Sequence, residues 1–146
     1  MIRIASKQDL PAIMELIHEL ARYEKAPHEV TNTVEMMLQD GFGKQPIYHA
    51  FVAESDQLII GFAIVYFRYS TWKGKCLYLE DLIITEKYRQ LGFGQHLFDR
   101  CLQFGRENKC SKLVWQVLDW NEPAIRFYKK NQAILDPEWI NGSIDL

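Results

Sequence analysis

The sequence predicts an α/β fold in which helices cover both faces of a mixed central sheet. Stretches with the apolar spacing of strands and of amphipathic helices follow one another in the order strand, two helices, three strands, helix, strand, helix, strand. A mixed order of this kind is typical of a mixed sheet with helices on both faces. Because the chain contains no repeat, low-complexity run or linker, we expect a single domain over residues 1–146.

The first elements are a short strand and an amphipathic helix. Residues 2–4 alternate as a strand, and apolar residues recur at helical spacing over 10–21. Ser6 and Asp9 are both candidates for capping that helix. Pro11 has no N–H and must lie in the first turn, which favours Asp9 as the capping residue.

A second short helix and a β-hairpin follow. Thr33 is a suitable cap for a helix that ends at Gly41-Phe-Gly43. Residues 48–54 and 59–69 are apolar and β-branched, and only a short polar segment separates them. This pattern predicts two antiparallel strands joined as a hairpin.

The second half of the chain predicts a strand, a helix, a further strand and a last helix. Residues 77–84 form a mostly apolar strand, 92–108 carry one apolar stripe at helical spacing, and 113–118 alternate as a strand. A right-handed crossover between these two strands places the loop between strand and helix at the strand's carboxyl end. Asn121 begins the last helix, and the tail after Ala133 has room for one or two short strands.

The junction between the central strand and its helix has the composition of an anion-binding loop. It contains Arg89 and, at the helix start, Gly92 and Gly94. The first N–H groups of a helix have no intrahelical partner, glycine lets a phosphate approach the backbone, and arginine adds a positive charge. The spacing fits neither a dinucleotide-binding motif nor a P-loop. An ordinary tight turn and a nucleotide-binding module are the alternatives.

Two carboxylates and one phenol are candidates for acid–base chemistry. Glu80 and Asp81 are consecutive in an otherwise apolar strand, and strand alternation predicts that one points to each face of the sheet. A carboxylate in a buried strand is costly unless it is paired, so a structural ion pair is the alternative to a catalytic role. Tyr128 lies among apolar neighbours in the last helix, where a tyrosine is usually part of the core.

Composition argues against several classes of function. The chain has 17 Lys and Arg against 19 Asp and Glu and no basic stripe interleaved with aromatics, so we expect no nucleic-acid partner. It has no apolar run as long as a membrane span and no signal-peptide pattern, which predicts no membrane association and a cytoplasmic location. The three cysteines form no Cys-x-x-Cys pair and the four histidines have no metal-ligand spacing, which predicts reduced thiols and no metal.

Several motifs resemble the GNAT superfamily of N-acetyltransferases. Arg-x-x-Gly-x-Gly at 89–94 is similar to the motif that binds the pyrophosphate of acetyl-CoA, and Asn-x-x-Ala-x-x-Phe-Tyr at 121–128 is similar to the segment that binds pantetheine and protonates the coenzyme sulfur. Longer blocks between residues 3 and 131 resemble the spermidine/spermine (diamine) N-acetyltransferase family. They include Asp40-Gly-Phe-Gly43, Leu77-Tyr-Leu-Glu-Asp81 and Trp120-Asn-Glu-Pro123. This resemblance implies a GNAT-like, mostly antiparallel sheet.

The same resemblance implies a role for each matching residue. Tyr128 would be the general acid, and Glu80 would accept the amine proton through water. The amine would lie among Tyr23, Glu24, Glu80, Val114, Trp115 and Gln116. The backbone of Leu82, Ile83 and Ile84 would hold pantetheine, the pyrophosphate would lie on Arg89, Gln90, Leu91, Gly92, Phe93, Gly94 and Gln95, and the rest of the arm on Asn121, Glu122, Pro123 and Ala124. Family members are homodimers, so a homodimer is implied.

These features predict an acetyl-CoA-dependent N-acetyltransferase that acts on a primary amine of a small diamine or polyamine, by direct transfer in a ternary complex. One departure points to another acceptor. Ser70-Thr71 replaces an acidic Asp-Pro pair, and segments 69–74 and 117–121 look more like the branch of the family that prefers thialysine. The alternatives are therefore a thialysine or lysine-like amino acid as the acceptor, and a non-catalytic acyl-CoA-binding sensor.

Overall fold

A computed structural model describes all 146 residues, which fall into two compact units. The first unit spans residues 1–115 and contains a sheet and three α-helices, whereas the second spans 116–146 and contains one α-helix. None of these helices combines the length and the apolar character that crossing a membrane requires.

The first unit is built on a five-stranded sheet whose spatial order follows the chain, β1-β2-β3-β4-β5. Neighbouring strands from β1 to β4 pair antiparallel, whereas β5 pairs parallel with β4. The strands are β1 (Ile2–Ile4), β2 (His49–Ser55), β3 (Leu58–Ser70), β4 (Gly74–Ile84) and β5 (Leu113–Trp115). This mixed, mostly antiparallel sheet confirms the predicted fold class.

Helices cover both faces of the sheet. One face, here named the α1 face, carries α1 (Leu10–Tyr23) and α2 (Val34–Phe42). The opposite α3 face carries α3 (Phe93–Glu107), where the ring of Phe104 contacts that of Phe51 with centroids 5.4 Å apart. The buried side chains of the α1 face include Leu10, Ile13, Met37, Val52, Phe62, Ile64 and Ile83. The sheet is therefore desolvated on both sides along its central strands.

Asp9 immediately precedes α1, as predicted, but its carboxylate caps another part of the chain. It accepts hydrogen bonds from the backbone N–H of Ser6 at 2.7 Å and from both terminal nitrogens of Arg3 at 2.7 and 2.9 Å. The bond from Arg3 is the main reason that the pKa of Asp9 is lowered to about 2. The carboxylate therefore joins β1 to the start of α1 and does not satisfy the first amides of the helix.

The fifth strand is shorter than the pattern over 113–118 predicts. Its ladder with β4 ends at the pair Leu79 and Trp115. β4 is irregular at the next residue, Glu80, and an extra residue in one strand disrupts the ladder locally. Pairing between the two strands consequently stops there.

The second unit contains α4 (Glu122–Lys130) and a tail without regular secondary structure. Asn121 caps the helix, since its side-chain oxygen accepts the N–H of Ala124 at 3.3 Å. The strand predicted after Ala133 is absent, and that prediction is wrong. The carboxylate of Asp136 binds the N–H of Glu138 at 2.9 Å, so a local turn takes a donor that a ladder would need. Burial of apolar side chains contributes little at Ile134 and Ile140, which are each 96% exposed.

Candidate active site

A β-bulge in β4 sets the direction of the two candidate carboxylates. In the register with β3, Leu79 lies opposite Val65 and Asp81 lies opposite Ile64, so Glu80 is the extra residue. The side chain of Ile64 belongs to the α1 face, and directly opposite residues share a face. Asp81 therefore points to the α1 face.

Glu80 points to the same side. Its carboxylate accepts a hydrogen bond from the hydroxyl of Tyr66 at 3.1 Å. Tyr66 lies two residues from Ile64 in β3 and so shares its face. The prediction that Glu80 and Asp81 point to opposite faces is wrong, because the bulge interrupts the alternation on which it rests.

Beyond the bulge, one edge of β4 has no strand partner in the first unit. The N–H of Thr85 bonds to the carbonyl of Ile60 at 2.8 Å. Alternation in an antiparallel ladder then directs the backbone groups of Ile83 and Asp81 toward β3, and those of Leu82 and Ile84 away from it. The outward backbone groups can accept an extended ligand as an additional strand. Leu82 and Ile84 are thus better placed than Ile83 to bind pantetheine through the backbone.

The turn before α3 provides no side-chain cap for the start of that helix. Gly92 precedes the helix with a φ of 89° and, having no side chain, provides no cap. Gln90 is also left-handed, with a φ of 64°. At Gly94 a Cβ would meet no atom closer than Cγ1 of Ile84, at 3.8 Å. Packing within the fold therefore does not require glycine at 94, and the absence of a side chain there would also allow a ligand to approach the backbone closely.

Arg89 is bound to the protein on several sides. Its Nε donates to the carbonyl of Ile84 at 2.9 Å, and one terminal nitrogen lies 3.4 Å from a carboxylate oxygen of Glu19. The guanidinium also lies over the ring of Tyr23, 5.3 Å from its centroid. These contacts link α1 to the end of β4. The guanidinium is therefore engaged by the protein at the position where the sequence predicts a ligand for pyrophosphate.

A pocket of about 200 Å³ lies on the α1 face beside Asp81. Its wall is largely apolar, and Glu24 and Glu29 also line it. The carboxylate of Asp81 makes no hydrogen bond or ion pair, and neither does that of Glu24. Every side-chain oxygen or nitrogen that is inaccessible to solvent has a partner, so both carboxylates are open to the pocket. The apolar residues that line it are Ile17, Leu20, Ala21, Ala26 and Val30.

Burial and like charge shift the titration of these carboxyls. Desolvation, with smaller contributions from the charges of Glu80 and Glu24, raises the pKa of Asp81 to about 7. Burial also raises the pKa of Glu24. On the same face, burial and then the neighbouring Glu80 raise the pKa of Tyr66 to about 12. A bound cation would favour the ionised form of both pocket carboxyls.

The strand β5 contributes residues to both faces. Val114 lies opposite Tyr78 in the parallel ladder, and Tyr78 stacks on Tyr66 of the α1 face with ring centroids 5.1 Å apart. Trp115 instead packs edge-on against Phe98 of α3, with centroids 5.6 Å apart. Of these two predicted amine-site residues, only Val114 therefore shares the face of the carboxylates.

Leu91 lies in the loop before α3, and Phe93 and Gln95 lie in the first turn of that helix. The second unit holds the predicted residues that follow Trp115. Tyr128 is buried in α4, two turns after the cap at Asn121, and its ring meets that of Phe127 with centroids 5.3 Å apart. Glu122, Pro123 and Ala124 form the first turn of the helix. The exposed Gln116 donates from its side chain to the side-chain oxygen of Asn141.

Residues 10–133 match the acetyltransferase (GNAT) family. This chain is a member of that family. A thialysine N-epsilon-acetyltransferase of Bos taurus is 39% identical over 137 residues, which are 88% of this chain and 81% of that protein. The human spermidine/spermine N(1)-acetyltransferase-like protein 1 is 36% identical over 140 residues, which are 91% of this chain and 20% of that protein.

Solved structures of low sequence identity show the same GNAT fold. An aminoglycoside acetyltransferase from an uncultured soil metagenomic sample, in complex with trehalose, has a TM-score of 0.81 at 19% identity and is matched over 100% of this chain and 95% of its own. An aminoglycoside N-acetyltransferase in complex with CoA has a TM-score of 0.74 at 19% identity, over 100% of this chain and 99% of its own. The family match and the bovine relative show that the chain is a GNAT N-acetyltransferase, and enzymes of this family use acetyl-CoA as the acetyl donor.

Two features of the first unit have the chemistry that pantetheine and the diphosphate of the coenzyme would require. At the unpaired edge, the N–H groups of Leu82 and Ile84 and the carbonyl of Leu82 could bind the amides of pantetheine, whereas the carbonyl of Ile84 already accepts a hydrogen bond from Arg89. The N-terminus of α3, which has no side-chain cap, and the lack of a side chain at Gly94 are features that would suit a diphosphate. Both features lie at the carboxyl end of β4, where the loop to α3 begins.

Two residues of this site were not assigned a role from the sequence. Asp81 directly follows Glu80 in the sequence, but its position in the pocket depends on the bulge, which no local pattern indicates. Glu19 looks like an ordinary exposed helical glutamate in the sequence, and yet it contacts the loop before α3. Only the packing of α1 against the end of β4 brings it there.

Proposed function

We propose that this GNAT enzyme acetylates a primary amine of a small cationic molecule, and that the pocket of the α1 face holds that acceptor. The observation that carries the proposal is the pair of unpartnered carboxylates, Glu24 and Asp81, set in an apolar wall. An ammonium group favours a nearby carboxylate, and apolar side chains favour the methylene groups that connect two amines. A diamine or polyamine has both features.

A thialysine or lysine-like amino acid is the second candidate. It is supported by the relatives named thialysine N-epsilon-acetyltransferase, such as the bovine protein at 39% identity. The carboxylate of an amino acid would favour a cationic side chain nearby, and the residues that line the pocket include none. The pocket thus supports a purely cationic acceptor, whereas sequence similarity supports the amino acid.

We propose direct transfer in a ternary complex. Acetyl-CoA supplies an acetyl group activated as a thioester. The neutral amine nitrogen forms a bond to the carbonyl carbon, the carbon–sulfur bond breaks, and the amine gives up one proton. Glu80 takes that proton through water, and Tyr128 gives one to the departing sulfur, as the family resemblance implies. No cysteine is required for this route, and burial raises the pKa of the Cys101 thiol to about 12, which disfavours a thiolate nucleophile.

An acceptor panel tests the proposal. Free CoA is measured with acetyl-CoA and putrescine, spermidine, thialysine or lysine as the acceptor, and kcat/KM values are compared. A higher kcat/KM for the diamine or polyamine supports the pocket-based assignment, and a higher value for thialysine selects the second candidate. Binding of CoA without release of free thiol from any of these amines would leave the acyl-CoA sensor as the better account.

We also propose that the enzyme works as a homodimer, as the family resemblance implies. The chain mass is 17.2 kDa, so light scattering should give twice that mass for a dimer. Large apolar side chains on the tail, such as Trp139 at 78% and Ile140 at 96% exposure, support the idea that part of this chain is covered by another one. A mass equal to that of one chain at assay concentration would reject the dimer.

A further inference from the structure

The carboxylate of Glu19 connects α1 to the loop that precedes α3. One oxygen accepts the hydroxyl of Thr85 at 2.8 Å, and the other accepts the backbone N–H of Glu86 at 3.1 Å. The second oxygen also lies 3.4 Å from a guanidinium nitrogen of Arg89. One side chain of α1 therefore holds three successive parts of a loop that lies more than sixty residues further along the chain.

This loop determines where the first amides of α3 lie. It runs from the end of β4 through a short 3-10 turn (Glu86–Tyr88) to Gly92, where the helix starts. A loop of this length has many conformations of similar energy unless other contacts restrict it. Glu19 makes one contact each with Thr85, Glu86 and Arg89, and these three contacts help to restrict the first half of the loop.

A second side chain of α1 acts on the same guanidinium. Tyr23 lies four residues after Glu19, so the two share one side of the helix, and the ring of Tyr23 lies beneath Arg89. The next residue, Glu24, lines the pocket of the α1 face. The helix α1 therefore both borders the pocket of the α1 face and contacts the loop before α3.

We propose that Glu19 is a positioning residue for acetyl-CoA: from α1 it holds the loop 85–92 in the conformation that presents the first amides of α3 to the diphosphate. It touches neither coenzyme nor acceptor. Its negative charge would repel a diphosphate at close range, so its contribution comes through Arg89 and the loop backbone. The proposal depends on the coenzyme site described above, and does not depend on which amine is acetylated.

Equilibrium binding of CoA to Glu19 variants tests this role without relying on turnover. We expect Glu19→Ala to weaken binding by about tenfold, since positioning interactions of this kind contribute on the order of one hydrogen bond to a charged group. Glu19→Gln keeps an oxygen for Thr85 or Glu86 and should lie between the wild type and the alanine variant. Glu15→Ala is the matched control, because Glu15 is an exposed glutamate of the same helix with no hydrogen bond or ion pair. It should bind CoA as the wild type does.

Amide hydrogen exchange in the coenzyme-free protein gives an independent readout. The N–H of Glu86 bonds to Glu19, so exchange over residues 85–92 should accelerate in Glu19→Ala and remain unchanged in Glu15→Ala. Thr85→Val removes the hydroxyl that donates to Glu19 and, like Glu19→Ala, should weaken CoA binding. Its effect should not add fully to that of Glu19→Gln, because both remove one contact.

Two results would overturn the proposal. An unchanged CoA affinity with only a lower melting temperature would make Glu19 a stability residue. A tighter affinity in Glu19→Ala would mean that releasing Arg89 toward the diphosphate matters more than holding the loop. Neither result resembles a failure of the proposed function, in which the wild-type protein binds CoA normally but acetylates none of the amines.

Discussion

Glu80 and Asp81 are consecutive residues of one strand, yet both carboxylates lie on the α1 face of the sheet. Regular alternation would separate them, but the bulge at Glu80 shifts the register so that Asp81 lies opposite Ile64. Two negative charges are thereby brought close together beside an apolar pocket. Their repulsion adds to the effect of burial on the pKa of Asp81.

Asp81→Asn should stabilise the protein at neutral and higher pH. The pKa of Asp81 is about 7 in the folded protein and 3.8 for an ordinary aspartate. Between these values the folded state binds one more proton than the unfolded state, so the contribution of this carboxyl to stability falls as pH rises from about 4 to 7. Asparagine has the same shape without this dependence. We expect the free energy of unfolding to rise by roughly 1 kcal/mol or more at pH 8, and to change little at pH 4.

Urea unfolding of both proteins at pH 4, 6 and 8 measures this difference. Glu15→Gln removes an exposed carboxylate without contacts and is the control for a change in net charge. The same difference in unfolding free energy at every pH would show that Asp81 titrates as an ordinary exposed aspartate.

Amine affinity should increase with pH as Asp81 ionises. A small primary amine is a cation well above pH 7, and a carboxylate attracts it more strongly than the neutral acid does. Binding should therefore tighten between about pH 6 and 8 in the wild type. This dependence should be much smaller in Asp81→Asn. Calorimetry in buffers of different ionisation enthalpy would also detect the proton released on binding, and no proton release would argue against contact between the amine and Asp81.

Gly94→Ala should weaken CoA binding without lowering the stability of the protein. The added Cβ would lie 3.8 Å from the nearest atom, in Ile84, which is an ordinary contact. Alanine is also a better helix former than glycine by about 1 kcal/mol, so stability should not fall. The methyl group would nevertheless occupy the surface on which the diphosphate is expected, and we expect CoA affinity to drop about tenfold or more. Gly92→Ala is a contrasting variant, since the φ of 89° at that residue should make it less stable. Normal CoA affinity in Gly94→Ala would show that the diphosphate does not bind at this turn.

Tyr128→Phe should lower turnover and leave CoA affinity unchanged. Loss of a general acid commonly reduces a rate by about 10²-fold or more. The ring itself remains, so packing against Phe127 should persist. Tyr69→Phe removes the hydroxyl of an exposed tyrosine, 77% accessible, and is the control. Equal kcat for Tyr128→Phe and wild type would remove this phenol from the mechanism.

Glu80→Gln should move the acidic limb of the kcat/KM profile to lower pH. Its negative charge is one reason for the raised pKa of Asp81, and neutralising it should let Asp81 ionise at lower pH. A role of Glu80 as proton acceptor would in addition lower the plateau or shift the alkaline limb. Tyr66→Phe is the matched control, because it removes the hydrogen bond to Glu80 but keeps the charge. A profile identical to that of the wild type would make Glu80 a structural carboxylate.

Local sequence predicted most of the elements. The hairpin, the cap at Thr33, the start of the last helix at Asn121 and the glycine turn before α3 depend on a few neighbouring residues, and the structure contains all of them. The prediction of a strand in the tail is wrong because it considers only local sequence. Strand formation needs a partner strand and burial, and neither can be inferred from the apolar residues near Ile134 alone.

The sequence by itself determined the fold class, the resemblance to the family and the glycine turn before α3, because these follow from periodicity and short motifs. Tertiary structure alone decided that Asp81 faces Glu24 in one pocket and that Glu19 supports the loop at Thr85. Both outcomes depend on the register between β3 and β4 and on the docking of α1. Register and docking minimise the free energy of contacts between distant segments, so no local pattern of residues specifies them.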